Sequence, residues 1–139
     1  MGPGRQRVWR SPRPVDIAAI LGVFRLGAGD PAYRRDEDGV IWRAVRTPDG
    51  PGTLAVQADP PNGAVLADAW GEGAQWLLDG LPELLGDADD DTGFVAHHPQ
   101  VAMLRRRYAG WRVPRSRRVV ESLVPTVIAQ KVTGHEAFS

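Results

Sequence analysis

Between Ala32 and Ala58 the chain is cut by two clusters of turn residues, Asp36-Glu-Asp-Gly39 and Pro48-Asp-Gly-Pro-Gly52, which limit its fold more than any other feature. The pieces left over, Ala32 to Arg35, Val40 to Thr47 and Thr53 to Ala58, read as three strands bounded by residues that favour turns. Links this short make sequence neighbours antiparallel, because a parallel pair needs a long crossover. In the middle strand Val40, Trp42 and Ala44 point one way and Ile41, Arg43 and Val45 the other, so a sheet partly covered on both faces is expected.

Helical signals flank these strands. Arg7 to Arg10 makes a short first strand after a loose tail over residues 1–6. Asp16 is placed to cap a helix whose apolar face is Ile17, Ile20, Leu21 and Phe24, with Gly27 at the left-handed C-terminal position. After Pro60-Pro-Asn-Gly63, the residues Leu66, Trp70, Ala74, Leu77, Leu78 and Leu81 follow helical spacing, and Gly71, Gly73 and Gly80 leave such a helix dependent on packing. Pro82 opens a short turn to Gly86, and the acidic loop Asp87 to Gly93 follows. Pro99 suits a first helical turn, with Val101, Leu104 and Tyr108 as a buried stripe. In the closing segment Val119, Val120, Leu123, Val124, Val127, Ile128 and Val132 line one helical face. Thr133 and Glu136 have the spacing of a capping box with almost nothing behind it, so the polypeptide is expected to continue past Ser139.

Composition narrows the function classes. With 42% apolar and 24% charged residues the chain is globular, and no apolar run approaches the roughly 20 residues a bilayer crossing needs. The absence of cysteine fits a reducing interior and excludes disulfides, zinc thiolate sites and cysteine nucleophiles. A formal net charge of zero hides a segregation. No Lys or Arg lies between Thr47 and Leu104, a stretch with ten acids, whereas Arg105, Arg106, Arg107, Arg112, Arg115, Arg117 and Arg118 follow without an acid among them. Such asymmetry marks a candidate surface for an anionic partner, although a charge run is more often a solvated face.

The element order, and above all Leu123-Val-Pro-Thr-Val-Ile-Ala-Gln-Lys-Val-Thr-Gly134, resembles the helix-hairpin-helix DNA glycosylases, in particular the actinobacterial type of the DNA-3-methyladenine glycosylase II branch. Leu81-Pro-Glu-Leu-Leu-Gly86, His98-Pro99 and Tyr108-Ala-Gly-Trp-Arg-Val-Pro-Arg115 also look like that branch, so the likeness covers nearly the whole chain. It implies an α+β fold class: a small antiparallel sheet with helices packed on it over residues 7–93, then the first helices of an incomplete all-α region over 94–139. It implies flipping of an alkylated base out of duplex DNA and hydrolysis of its N-glycosidic bond, in a cytoplasmic, nucleoid-associated bacterial enzyme. Gln130, Lys131, Val132, Thr133 and Gly134 correspond to the loop that enters the minor groove beside the flipped nucleotide, and Arg115 and Arg117 are candidate phosphate contacts. Lys131 stands where the family places an apolar wedge. The family's glycine-rich hairpin and the catalytic Asp after it have no counterpart before Ser139, so no catalytic residue is assigned and the chain alone is expected to be inactive.

Other chemistries find no footing. Asp87, Asp89 and Asp91 imitate a calcium loop, but Thr92 replaces its glycine and His98 its bidentate Glu. His97, His98 and His135 lack metal-ligand spacing, and Gly27-Ala-Gly29 is not a phosphate loop. No cofactor or metal is expected. Trp42, Trp70 and Trp76 fall in strand and helix patterns where core packing is the ordinary role of an indole. The alternative to the glycosylase reading is a non-catalytic DNA-binding or protein-interaction module.

Overall fold

A computed structural model describes residues 4–130. The fold is α+β. Its strands β1 (Arg5–Trp9), β2 (Tyr33–Arg35), β3 (Ile41–Thr47), β4 (Gly50–Asp59) and β5 (Ala64–Gly71) form one antiparallel sheet in the order β1-β5-β4-β3-β2. The helices are α1 (Ile17–Leu21), which tightens into a 3-10 turn over Gly22–Phe24, then α2 (Ala74–Asp79), α3 (Leu81–Leu84), α4 (Pro99–Arg107) and α5 (Val119–Ala129). No helix among the described residues is long and apolar enough to cross a membrane.

The three expected strands are present, with longer limits for β4. The β3–β4 turn uses only Pro48 and Asp49: Thr47 pairs with Gly50, and its hydroxyl donates to the Gly50 carbonyl at 2.7 Å while accepting from Asp49 N–H at 3.1 Å. Gly50, at φ 122°, supplies the positive dihedral that closes the hairpin. Pro51 therefore enters β4 opposite Arg46. It removes no ladder bond on the other side, where pairing with β5 begins only at Gly52. Asp16 caps α1 as its position suggests, its carboxylate accepting from Ala19 N–H at 3.0 Å, and Gly27 is left-handed at φ 78°.

Leu66 and Trp70 correct the sequence reading. They belong not to a helix running to Leu81 but to β5, which inserts between β1 and β4. Residues four apart share a face in a strand as well as in a helix, so their spacing fits both. Pairing decides between them: β4 offers an unbroken ladder from Gly52 to Asp59, β1 another from Arg5 to Trp9, and Val65, Ala67 and Ala69 all turn inward. The pairing of Arg5 with Ala69 also starts β1 two residues before the expected Arg7.

The core lies between one face of this sheet and the helices α1, α2 and α3. Leu54, Val56, Ile41, Ala67 and Ala69 rise from the sheet to meet Ile20, Leu21, Leu78, Leu81 and Leu85, all of them buried. The opposite face carries Trp42 and Trp70, their rings stacked with centroids 5.6 Å apart and planes 16° off parallel, over the buried Ala55. Its cover is thus its own aromatic pair, tied down by Trp42 Nε1–H donating to Asp36 at 2.8 Å.

The second layer of helices departs further from expectation. Val101, Leu104 and Tyr108 are 40%, 47% and 53% exposed, so the stripe of α4 is not buried. The apolar residues of α5 are exposed as well, and Pro125 lies inside that helix. Close to the core, by contrast, space is tight: a methyl group added at Gly73 would stand 2.4 Å from Thr47 Oγ1 and 2.7 Å from the Gly50 carbonyl oxygen. Gly73→Ala is therefore expected to destabilise the fold by about 1–3 kcal/mol through overpacking. A urea midpoint equal to that of the parent chain would show that the turn yields freely.

Candidate nucleic-acid interface

The arginines that follow Leu104 are divided by the fold into two groups. Arg105 reaches back to the acidic loop, donating to the Phe94 carbonyl at 2.8 Å and to the Asp91 carboxylate at 2.9 Å while lying 4.9 Å over the Phe94 ring. Arg13, from the segment before α1, holds the other Asp91 oxygen at 3.1 Å and the Asp89 carbonyl at 2.7 Å. Asp89 accepts from Val113 N–H at 2.8 Å. The acids and bases that are segregated along the sequence are therefore joined in space.

Arg112 is the most buried of the group at 3% exposure. It donates to Ser11 Oγ at 2.9 Å and to the Pro14 carbonyl at 2.5 Å, and its Nη1 has no partner among the described residues. Burial pushes its pKa down, with Arg13 adding to the effect and Asp87, Asp89 and Asp91 opposing it. The left-handed Gly86, at φ 73°, leaves room for this side chain: a Cβ there would stand 2.4 Å from Arg112 Cβ. Arg112 is a structural tie between the segment before α1 and the link from α4 to α5, and its burial sets it apart from a phosphate contact.

Of the expected DNA contacts, Arg115 and Arg117 sit on either side of Ser116 in the segment leading to α5. Arg115 N–H donates to the Glu83 carbonyl at 3.0 Å, and its side chain is exposed. Arg117 takes a left-handed conformation, φ 57°, which an L side chain adopts at a cost of about 1–2 kcal/mol. The compensation is local: its guanidinium donates to the Glu83 carboxylate and lies 5.9 Å over the Trp76 ring. Arg118 approaches Glu121 at 3.8 Å. Arg106, Arg107 and Arg115 remain exposed and outside any ion pair among the described residues.

Gln130 is exposed at the C-terminal end of α5. Lys131, Val132, Thr133 and Gly134 lie outside the described residues. The structure therefore brings Arg115 and Arg117 together at the foot of α5 and places Gln130 at its far end. No cluster of side chains suited to a metal ion occurs among the described residues.

One group was not singled out in the sequence. Arg43 lies between Ile41 and Val45 on the inward face of β3, and it lines a cleft with Phe24, Tyr33 and the first turns of α5. The legible signal was a charged residue at an inward position of a strand.

No family model, curated protein or solved structure matches the chain.

The Glu83–Arg117 pair makes stability depend on pH in a definite direction. The hydrogen bond from Arg117 is the main cause that holds the Glu83 carboxyl below its ordinary value of 4.5. A depressed carboxyl stabilises the fold above its unfolded pKa, and that contribution disappears as pH falls through the lower folded value. Glu83→Gln should lower the urea midpoint at neutral pH, modestly because the pair is part-exposed. The gap between variant and parent should close well below pH 4.5. A gap of the same size at every pH would mean that the pair contributes through packing alone.

Proposed function

We propose that this chain is the N-terminal, DNA-engaging part of a base-excision DNA glycosylase that flips and removes alkylated bases of the 3-methyladenine type. In this reading the sheet domain supports α5, Arg115 and neighbouring arginines contact phosphates, and Gln130 with Lys131 to Gly134 probes the minor groove beside the flipped nucleotide. The hairpin and the catalytic carboxylate that the resemblance requires are not among these 139 residues. Bond cleavage depends on that carboxylate, which stabilises positive charge developing on the sugar. The chain by itself therefore binds DNA without releasing base.

The observation that carries the reading is the pairing of motif and position. The segment resembling the family's probe begins at Gln130, at the exposed end of a helix whose other end is flanked by arginines. The α+β architecture, with helices on one face of an antiparallel sheet, is the arrangement the resemblance implies. The exposed apolar surface of α5 also favours a second reading, a non-catalytic interaction module, since large exposed apolar faces mark contact sites.

Fluorescence anisotropy on duplexes with and without an alkylated base separates the two. The DNA reading requires binding that weakens with salt, and Arg115→Ala should reduce the slope of log affinity against log salt by about one. Gln130→Ala should erase the preference for the damaged duplex while leaving the salt slope intact. Salt-independent binding, or none, would sink the DNA reading and leave the interaction module. Release of methylated base by the purified chain would overturn the assignment of the chemistry to residues it lacks.

A further inference from the structure

Arg43 holds a position that neither the sheet nor the DNA reading explains. It projects from β3 on the same face as Ile41 and Val45, at the margin of the core, with its guanidinium 4.1 Å from the Phe24 ring centroid. Its backbone is paired with Tyr33 and Leu54, but among the described residues its guanidinium makes no hydrogen bond and no carboxylate stands within ion-pair distance of it. A guanidinium taken partly out of water without an acceptor is costly, because hydration is lost and nothing replaces it. Burial accordingly pushes its pKa down, opposed by the more distant charges of Glu121 and Asp30 and by Tyr33.

The guanidinium borders a cleft of about 300 Å³ between the 3-10 turn, β2, β3 and α5. Val23, Phe24 and Leu26 form an apolar wall, and Tyr33 contributes an aromatic ring. Burial raises the Tyr33 pKa against the pull of Arg25, Arg35 and Arg43, so its hydroxyl keeps its proton and can donate. Asp30 also lines the cleft, each of its carboxylate oxygens held by one backbone donor, Leu26 N–H at 2.8 Å and Ala32 N–H at 2.9 Å. The Arg43 guanidinium and the Tyr33 hydroxyl therefore offer donors beside apolar surface, with the Ser116 and Ser122 hydroxyls on the opposite wall.

We propose that this cleft is a binding site for a small organic monoanion, a carboxylate with an apolar or aromatic body. The carboxylate would take two parallel hydrogen bonds from the Arg43 fork, and the body would lie along Val23, Phe24 and Leu26. A single charge is favoured over a double one because Asp30 and Glu121 already place negative charge nearby. The volume is at the lower end of what ligand pockets offer, ample for a carboxylate carried on a single ring. The site is independent of the DNA reading, since it faces the space between β3 and α5 rather than the end of α5.

Benzoate is the probe. Titrated into the 15N-labelled chain, it should shift the amides of Phe24, Tyr33, Arg43 and Ser122 in a saturable manner, while inorganic phosphate at equal ionic strength shifts them less. Arg43→Met, which keeps the aliphatic stem on Phe24, should weaken benzoate binding by about tenfold or more. If that variant fails to fold, Ser122→Phe provides the second arm, filling the cleft from the exposed side of α5 without changing charge, and it should also abolish the shifts. A short DNA duplex should leave the Arg43 amide unmoved. Absence of saturable shifts with benzoate, shifts unaffected by either folded variant, or stronger perturbation by phosphate or DNA would each overturn the proposal.

Discussion

The fold rests on the middle of its sheet, where β4 and β5 present very different side chains to the same core. From β5 come Val65, Ala67 and Ala69, and the two alanines are fully buried. Small residues there let α2 and the turns after it lie close to the strands, so that Leu77, Leu78, Leu81 and Leu85 fill the volume the strand leaves empty. Larger strand residues would push those helices outward and open the interior, which close packing penalises at the level of single methylene groups. Everything else is arranged around this contact: α1 adds Ile17, Ile20 and Leu21 at one side, and β1 closes the sheet beyond β5.

Charge plays a second, quieter organising role. The acidic loop after α3 is flanked in space by Arg13, Arg105 and Arg112, three residues that come from opposite ends of the described chain. These contacts are part-exposed for Arg13 and Arg105, so each stabilises weakly, but Arg112 is buried and its hydrogen bonds to Ser11 and Pro14 bind the segment before α1 to the link between α4 and α5. Internal neutralisation removes several arginines from any electrostatic surface. Of the run after Leu104, Arg106, Arg107 and Arg115 remain exposed and outside any ion pair among the described residues, fewer than the charges in the sequence suggest.

Backbone strain and ion pairing meet at Arg117. A left-handed arginine is held by Glu83 on one side and Trp76 on the other, at the point where the chain turns into α5. The direction in which α5 leaves the body of the protein is set by this turn, and with it the positions of Gln130 and of the wall that α5 adds to the Arg43 cleft. A feature that reads in one dimension as part of a basic run thus acts in three dimensions as a hinge post.

The sequence by itself determined the pieces whose signals are local. Turn clusters separated β2, β3 and β4, Asp16 announced the start of α1 and Pro99 the start of α4, because caps and turns depend on a few adjacent backbone groups. Only the tertiary structure decided the fate of Leu66 and Trp70, since four-residue spacing is common to strand and helix and the choice was made by two ladders, one on the preceding strand β4 and one on β1, far away in sequence. It also decided which arginines are occupied by acids and which are free, a matter of distances between segments that no charge count contains. The same holds for the Arg43 cleft: alternation along β3 placed the guanidinium inward, but its lack of an acceptor arises from where Phe24, Tyr33 and α5 come to rest.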